Sequence, residues 1–408
     1  MSKESSPQGM LLLKAMPGIT LPDYDAGSIA NVAASLASGM GAPDIGLAPL
    51  TGLAPDRISV YRNVVLLVVD GMGWQFLRDR APASYLAANL RQPITSVFPS
   101  TTATAITSLT TALTPQQHAI TGWYMYLQDI DDIAAILPFK ARGQSVFPDQ
   151  PRYDPIKHYR FNPVMAKLPR RKFVINDSRI VDSAYSLATS GNAARLAYHS
   201  MAGMLHSIES VIRSSAEDKF IYAYWPEFDA ICHAHGSASN EAREHFHLLD
   251  QQFEAMVRDL AGENTLIVVT ADHGFIDTDA EHLLALEAHP QLQAMLRMPL
   301  CGEPRAAYCY LRPGSEQAFE SYVEEHLSHV CLAASRDRLL ASGVFGRGEL
   351  HADFSSRVGD YILLARENWV IKDTLEGEQP FTQIGVHGGL SSAEMQVPLI
   401  VVDCQASA

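Results

Sequence analysis

One pattern recurs along this chain: a short, wholly apolar run that stops at an acidic residue beside a turn. Residues 63–69, Asn-Val-Val-Leu-Leu-Val-Val, end in Asp70-Gly71, and the Gly-Met-Gly that follows starts a strand-to-helix turn. Residues 220–224 run into Trp-Pro-Glu-Phe-Asp, and residues 266–270 into Ala-Asp-His-Gly. Runs with no polar face are buried on both sides and read as central parallel strands. A further apolar run covers 397–402, and helix-like stretches cover 102–112, 191–214 and 238–261. Strands alternating with helices predict an α/β fold with a mostly parallel central sheet and helices on both faces.

Length and composition bound this expectation. The chain has 408 residues, 47% hydrophobic, which suits one large domain carrying an insertion. The catalytic part is expected at 63–289 and 381–408, with residues 1–62 as an N-terminal extension packed on the core. Residues 124–175, rich in Pro, Arg, Lys and aromatics without a clear period, read as a lid-like excursion. Strand-like 306–311, helix-like 314–328 and strand-like 360–365 suggest a small inserted α+β cap subdomain over 290–380. No internal repeat is visible, and nothing here bears on oligomeric state.

The formal charge of −14 argues against a large nucleic acid as partner, because backbone binding needs clustered Lys and Arg. It leaves room for a small phosphorylated substrate, since bound divalent cations reverse the local potential. The five cysteines are odd in number and form no Cys-x-x-Cys pair, a pattern of reduced thiols. The N-terminal apolar stretch is too short for a secretory or membrane segment, and no later run reaches about 18 apolar residues. The expectation is a cytoplasmic protein without a membrane span.

In doubly wound sheets the ligand site gathers at the carboxyl ends of the strands. Asp70, Asp229 and Asp272 all fall at or just beyond such ends, with His233 and His273 close by. One acidic residue there is more often a helix cap. Three, delivered to one crevice with imidazoles, are what a divalent metal site requires. Asp229 and His233 are spaced i, i+4 and share a helix face, whereas His235 points elsewhere. Gly274 permits the backbone break that turns Asp272 and His273 to one site. His387, in Gly-Val-His-Gly-Gly, gains weight only from this company. The segment 98–115, Phe-Pro-Ser-Thr-Thr and onward, is dense in hydroxyls at a helix start. Its residues either cap the helix or offer a metal-activated nucleophile, and on local grounds Thr101, Thr102 and Thr104 are equal candidates.

Taken in order, these pieces resemble the alkaline phosphatase superfamily, and most closely its type I phosphodiesterase/nucleotide pyrophosphatase branch. The matching motifs are Asp-Gly at Asp70, Phe-Pro-x-x-Thr at Thr102, Asp-x-x-x-His at Asp229 and His233, Asp-His-Gly at Asp272 and His273, and Gly-x-His-Gly at His387. Thr-Pro-Gln-Gln-His-Ala-Ile (114–120) also looks like that branch. The resemblance implies a phosphodiesterase or nucleotide pyrophosphatase with Thr102 as the nucleophile, passing through a phosphothreonine. It implies two divalent ions, one on Asp229, His233 and His387, the other on Asp70, Asp272, His273 and Thr102. Three His and three Asp favour Zn2+, with Mn2+ or Fe as alternatives.

The branch's Phe-Pro-Asn after the nucleophile is replaced here by Ala103-Thr104-Ala105. A backbone N–H at Ala103, Thr104, or a basic residue such as Lys140 or Arg142 is then expected to hold the phosphate oxygen. Trp123, Tyr124 and Tyr126 are expected near the leaving group, where aromatic rings stack on a nucleobase or other flat group. A phosphomonoesterase or phosphonate hydrolase on the same scaffold would need a further cation, for which Arg305 and Lys140 are the candidates. A noncatalytic relative would have lost ligands, and all seven positions are filled. The Cys-x-Pro-x-Arg setting of sulfatases is absent, and the Ser nucleophile and long insertion of cofactor-independent phosphoglycerate mutases are not matched.

Overall fold

The computed structural model describes residue 13 and residues 16–143 and 153–405. Residues 144–152 of the expected excursion, residues 1–12, 14 and 15 of the N-terminal extension, and residues 406–408 lie outside the described residues. Among the described residues no helix is long and apolar enough to cross a membrane.

The larger sheet has seven strands, ordered Leu90–Thr95, Gln396–Asp403, Thr265–Thr270, Asn63–Val69, Lys219–Trp225, Arg171–Asp177 and Ala194–Tyr198. The last five are mutually parallel, while Gln396–Asp403 runs antiparallel to both of its neighbours. Asn63–Val69 and Lys219–Trp225 are buried at every residue, as continuous apolar runs must be when both sheet faces are covered. Register then decides where function sits. Val69 lies opposite Trp225 and Val68 opposite Thr270, so three adjacent strands end level. The residues that follow them, Asp70, the 226–229 turn and Asp272, therefore emerge side by side.

Residues 191–214 are not one helix. Ala194–Tyr198 is the edge strand of the sheet, and the helix starts at Met201 behind Ser200, whose hydroxyl accepts from Gly203 N. The misreading is understandable physically: an edge strand exposed on most of its residues carries no apolar run to mark it.

Residues 124–141 are not a loop excursion. They supply the strands Tyr124–Leu127, Asp132–Ala135 and Lys140–Ala141 to a second seven-stranded sheet. Its remaining strands, Cys301–Glu303, Ala306–Cys309, Tyr361–Ala365 and Cys331–Ser335, come from the stretch expected as the cap. One sheet is thus assembled from two distant stretches of chain, joined where Tyr124 pairs with Gly302. That pairing spans about 180 residues of sequence, so no local period could announce it. Arg171–Asp177, also within the expected excursion, belongs to the larger sheet. Near the N-terminus, helix Ile29–Gly39 packs against helix Thr102–Thr111.

Candidate active site

The carboxyl ends of the level strands converge with the start of helix Thr102–Thr111 and with the Gly385–Val386 strand that delivers His387. Asp229 and His233 lie on helix Glu227–His235, one turn apart as their spacing requires, with His233 Nε2 3.4 Å from Asp229 Oδ1. His387 Nε2 lies 3.3 Å from His233 Nε2 and 3.7 Å from Asp229 Oδ1. His273 Nε2 lies 3.3 Å from Asp70 Oδ1, 3.5 Å from Asp272 Oδ2 and 3.2 Å from Thr102 Oγ1. Asp70, Asp272 and His273 offer atoms mutually within 4.8 Å, and so do Asp229, His273 and His387. His273 belongs to both groups, so the two clusters abut. All seven residues expected to hold metal meet in one place, and His235 is exposed outside it.

Hydrogen bonding outside the cluster decides what faces into it. Each histidine has a backbone carbonyl at Nδ1: Gly385 for His233 at 2.8 Å, Gly274 for His273 at 3.1 Å, and Ser100 for His387 at 3.2 Å. A carbonyl only accepts, so the proton sits on Nδ1 and each Nε2 presents a lone pair to the cluster. Asp70 Oδ1, Asp229 Oδ1 and Asp272 Oδ2 are buried without a hydrogen-bond partner. Their other interactions are ordinary: Tyr224 donates its hydroxyl to Asp70 Oδ2, and Gly71 N and His273 N both donate to Asp272 Oδ1 at 3.0 Å. Three imidazole lone pairs and three carboxylate oxygens without hydrogen-bond partners crowd one another. Such a set repels itself unless cations fill it, and its donors suit divalent metals that accept N and O ligands.

The electrostatics agree. Burial, with the charges of Asp272 and Asp229, pushes the Asp70 carboxyl well above the usual carboxylate range. Burial raises Asp229, and burial together with His273 and His233 holds His387 well below the ordinary imidazole value. Backbone geometry at the site is equally specific. Gly71 has φ +74°, and a Cβ there would lie 2.3 Å from the Phe275 ring.

Two cavities meet at Thr102. One, of about 420 Å³, is lined by Thr102, Trp123, Tyr124, Asp229, His233, Glu303, Lys372 and His387, among others. The other, of about 580 Å³, is lined by Asp70, Thr102, Trp123 and Asp229 together with an apolar wall that includes Ile106, Leu137, Met165, Val174 and Tyr185. Trp123 borders both.

Several expected substrate contacts fail. The Arg305 side chain is buried against Glu394, donating to both carboxylate oxygens at 3.1 and 2.9 Å and to the carbonyls of Arg366 and Trp369, and it lines neither cavity. Arg142 is likewise committed, to Asp373, Glu378 and the Leu300 carbonyl. Tyr126 lies in the core of the second sheet with its hydroxyl on Asp131, and lines neither cavity. The side chains of Ala103 and Thr104 are buried on the helix and line neither cavity, which removes Thr104 from the substrate surface and leaves the expected backbone N–H of Ala103 at the helix start untouched. Lys140 is exposed at the rim of the larger cavity.

Two residues were missed. Glu303 is buried, accepts from Trp123 N at 2.6 Å, and has its carboxyl pushed up to about 7 by burial. Gly388, beside His387, leaves room for it: a Cβ there would lie 2.7 Å from Glu303 Cβ. Lys372 ends the strand Val370–Lys372. Nothing in the periodicity of either neighbourhood marks them, because Glu303 reaches the site on the second seven-stranded sheet and Lys372 on a short strand paired with Leu283–Ala285.

This fold and the chain's family match make it a phosphodiesterase/nucleotide pyrophosphatase-like hydrolase. The chain belongs to the type I phosphodiesterase/nucleotide pyrophosphatase family, which it matches over residues 64–390. No curated protein matches the sequence itself. Among solved structures, murine ectonucleotide pyrophosphatase/phosphodiesterase 5 is similar with a TM-score of 0.61 at 15% identity, covering 82% of this chain and 87% of that one. An inactive variant of the same murine protein, solved in complex with AMP, gives 0.59 at 16% identity over 82% and 87%. Phosphonoacetate hydrolase from Sinorhizobium meliloti 1021, in complex with phosphonoformate, gives 0.62 at 17% identity over 84% and 90%.

Proposed function

We propose that this chain hydrolyses phosphodiesters or nucleotide pyrophosphate bonds through a covalent phosphothreonine at Thr102, beside two divalent cations. One observation supports the reading: three histidines and three carboxylate oxygens without hydrogen-bond partners cluster together, and His273 of that cluster meets the Thr102 hydroxyl at 3.2 Å. Asp70, Asp272, His273 and Thr102 would hold one cation and Asp229, His233 and His387 the other, with Zn2+ first in preference. Bound there, the cations would lower the hydroxyl's pKa and offset charge on the phosphoryl oxygens.

The chain's own residues do the rest. Thr102 opens its helix, where the positive end of the helix dipole favours an anion. The bond from Oγ1 to phosphorus forms as the bond to the leaving oxygen breaks, and the leaving group keeps the electron pair. Water then cleaves the phosphothreonine, restoring the hydroxyl and releasing the phosphorylated half of the substrate. Trp123, between the cavities, offers a ring to flat substituents on either side of the phosphorus. The AMP and phosphonoformate bound by the two neighbours are compatible ligand classes: a nucleotide and a small phosphonate.

Commitment of Arg305 to Glu394 removes one of the two cations considered for a terminal dianion and leaves Lys140 at the cavity rim, so the preference for the diester is supported by the family match. The test compares bis(p-nitrophenyl) phosphate with p-nitrophenyl phosphate on zinc-loaded protein, wild type and Thr102→Ala. The diester should be preferred, and Thr102→Ala should lose at least ~1,000-fold in kcat/KM. A strong monoester preference, or an unimpaired Thr102→Ala, refutes the proposal.

A further inference from the structure

We propose that Lys372 is a specificity-determining residue whose ammonium group binds a second anionic group, a phosphate or carboxylate, carried on the leaving group of the substrate. The inference rests on the hydrolase reading above and narrows its substrate class. Lys372 is the one Lys or Arg among the residues lining the smaller cavity. Its Nζ stands 5.4 Å from the centre of the Tyr124 ring, on the approach to Thr102. Arg142 approaches the same ring at 4.9 Å, but its guanidinium is taken up by Asp373 and Glu378. That pairing also occupies the two carboxylates that would otherwise neutralise Lys372. Among the described residues no carboxylate oxygen comes within 4.0 Å of Lys372 Nζ. Glu303, across the cavity, holds the Trp123 amide.

A half-buried ammonium is costly in the free protein when no carboxylate touches it, and Glu378, Asp373 and Glu303 act on Lys372 only from beyond contact distance. Burial and the neighbouring Arg142 hold it below the usual lysine range, so an arriving anion restores what burial took away. The cavity also tells which half of the substrate it receives. In-line attack by Thr102 Oγ1 expels the group on the far side of phosphorus. Thr102 and Asp229 border both cavities, but His233 and His387 line only this smaller one, whereas Asp70, on the Thr102 side of the cluster, lines only the larger one. The leaving group therefore enters the cavity of Lys372, and the retained group the apolar one.

The experiment uses three thymidine 5′-phosphoryl compounds that share the retained group: the p-nitrophenyl ester, the 4-carboxyphenyl ester and thymidine 5′-triphosphate. For Lys372→Ala, kcat/KM on an anionic leaving group, relative to the p-nitrophenyl ester, should fall ~10- to 100-fold, mainly through KM. Lys372→Arg should restore most of that ratio. A fall for the triphosphate alone assigns a phosphate, and a fall for the carboxyphenyl ester alone assigns a carboxylate. A ratio unchanged for both overturns the proposal. Binding gives a second readout: thermal stabilisation of zinc-loaded Thr102→Ala protein by the triphosphate should shrink when Lys372→Ala is added. Should the wild type hydrolyse none of the three, the hydrolase reading fails by itself. The binding arm then still decides on Lys372, and equal stabilisation in both backgrounds overturns it.

Discussion

Removing one negative charge from the site should stabilise the protein once its metal has been stripped. Asp70 and Asp272 present oxygens within 4.8 Å of each other. Two full charges at that distance repel by about 3.5 kcal/mol at an effective dielectric constant near 20. Burial and this repulsion together raise the Asp70 carboxyl well above its ordinary value of 3.8. A carboxyl whose folded pKa is raised binds more protons in the folded than in the unfolded state. The metal-free fold therefore loses stability as pH climbs from about 4 through the folded pKa. Asp70→Asn keeps an acceptor for the Tyr224 hydroxyl but removes the charge. In excess EDTA at pH 8 the variant should resist urea better than wild type by ~1–3 kcal/mol, a gap that closes as pH falls toward 4. With zinc restored the order should invert, because an amide is the poorer ligand. If stripped Asp70→Asn is instead the less stable protein at pH 8, the crowding of unpaired carboxylates is not what this cluster suffers without metal.

Other outcomes follow from single contacts. Arg305→Leu strands Glu394 as an uncompensated buried charge and should cost ~3–5 kcal/mol in thermal or urea unfolding, while the folded fraction keeps its preference for diester over monoester. Arg305 holds the Glu394 carboxyl below its ordinary 4.5, so the stability this pair contributes is present above pH 4.5 and is lost as pH falls through the lower folded value. A wild-type protein whose acid unfolding matches that of Arg305→Leu would contradict this. Gly71→Ala forces a Cβ against Phe275 at a backbone angle few residues adopt, and should lower both melting temperature and zinc content measured by elemental analysis. Tyr126→Phe should leave kcat/KM within ~2-fold, since its ring faces the core of the second sheet, and a larger loss would restore it to the substrate pocket.

Much of the site was legible because its ligands are tied to strand ends. A buried parallel strand must be apolar throughout, so Asn63–Val69 declares itself, and the acidic residue after it is conspicuous. The i, i+4 pair Asp229 and His233 could be read from helix geometry alone. Choosing Thr102 over Thr101 was different: only the order of the other motifs selected it, and in the structure its hydroxyl is the one that meets His273. The substrate pocket was read less well. Arg305 and Tyr126 were plausible by residue type, but residue type does not say whether a guanidinium is already paired or which face of a strand is inward.

By itself, the sequence marked the α/β class and the strand ends that carry Asp70, Asp229 and Asp272, because these depend on local apolarity and turn chemistry, while the set of seven candidate positions came with the family resemblance. The level register of three strands, the second sheet built from 124–141 and 301–365, and the delivery of Glu303 and Lys372 to Thr102 were decided only by tertiary structure. Such long-range pairings depend on complementary packing between segments that carry no mark of one another. Thr102 was thus set apart by the order of motifs along the chain, whereas Glu303 and Lys372, about 200 residues or more away in sequence, reach its cavity only through tertiary structure.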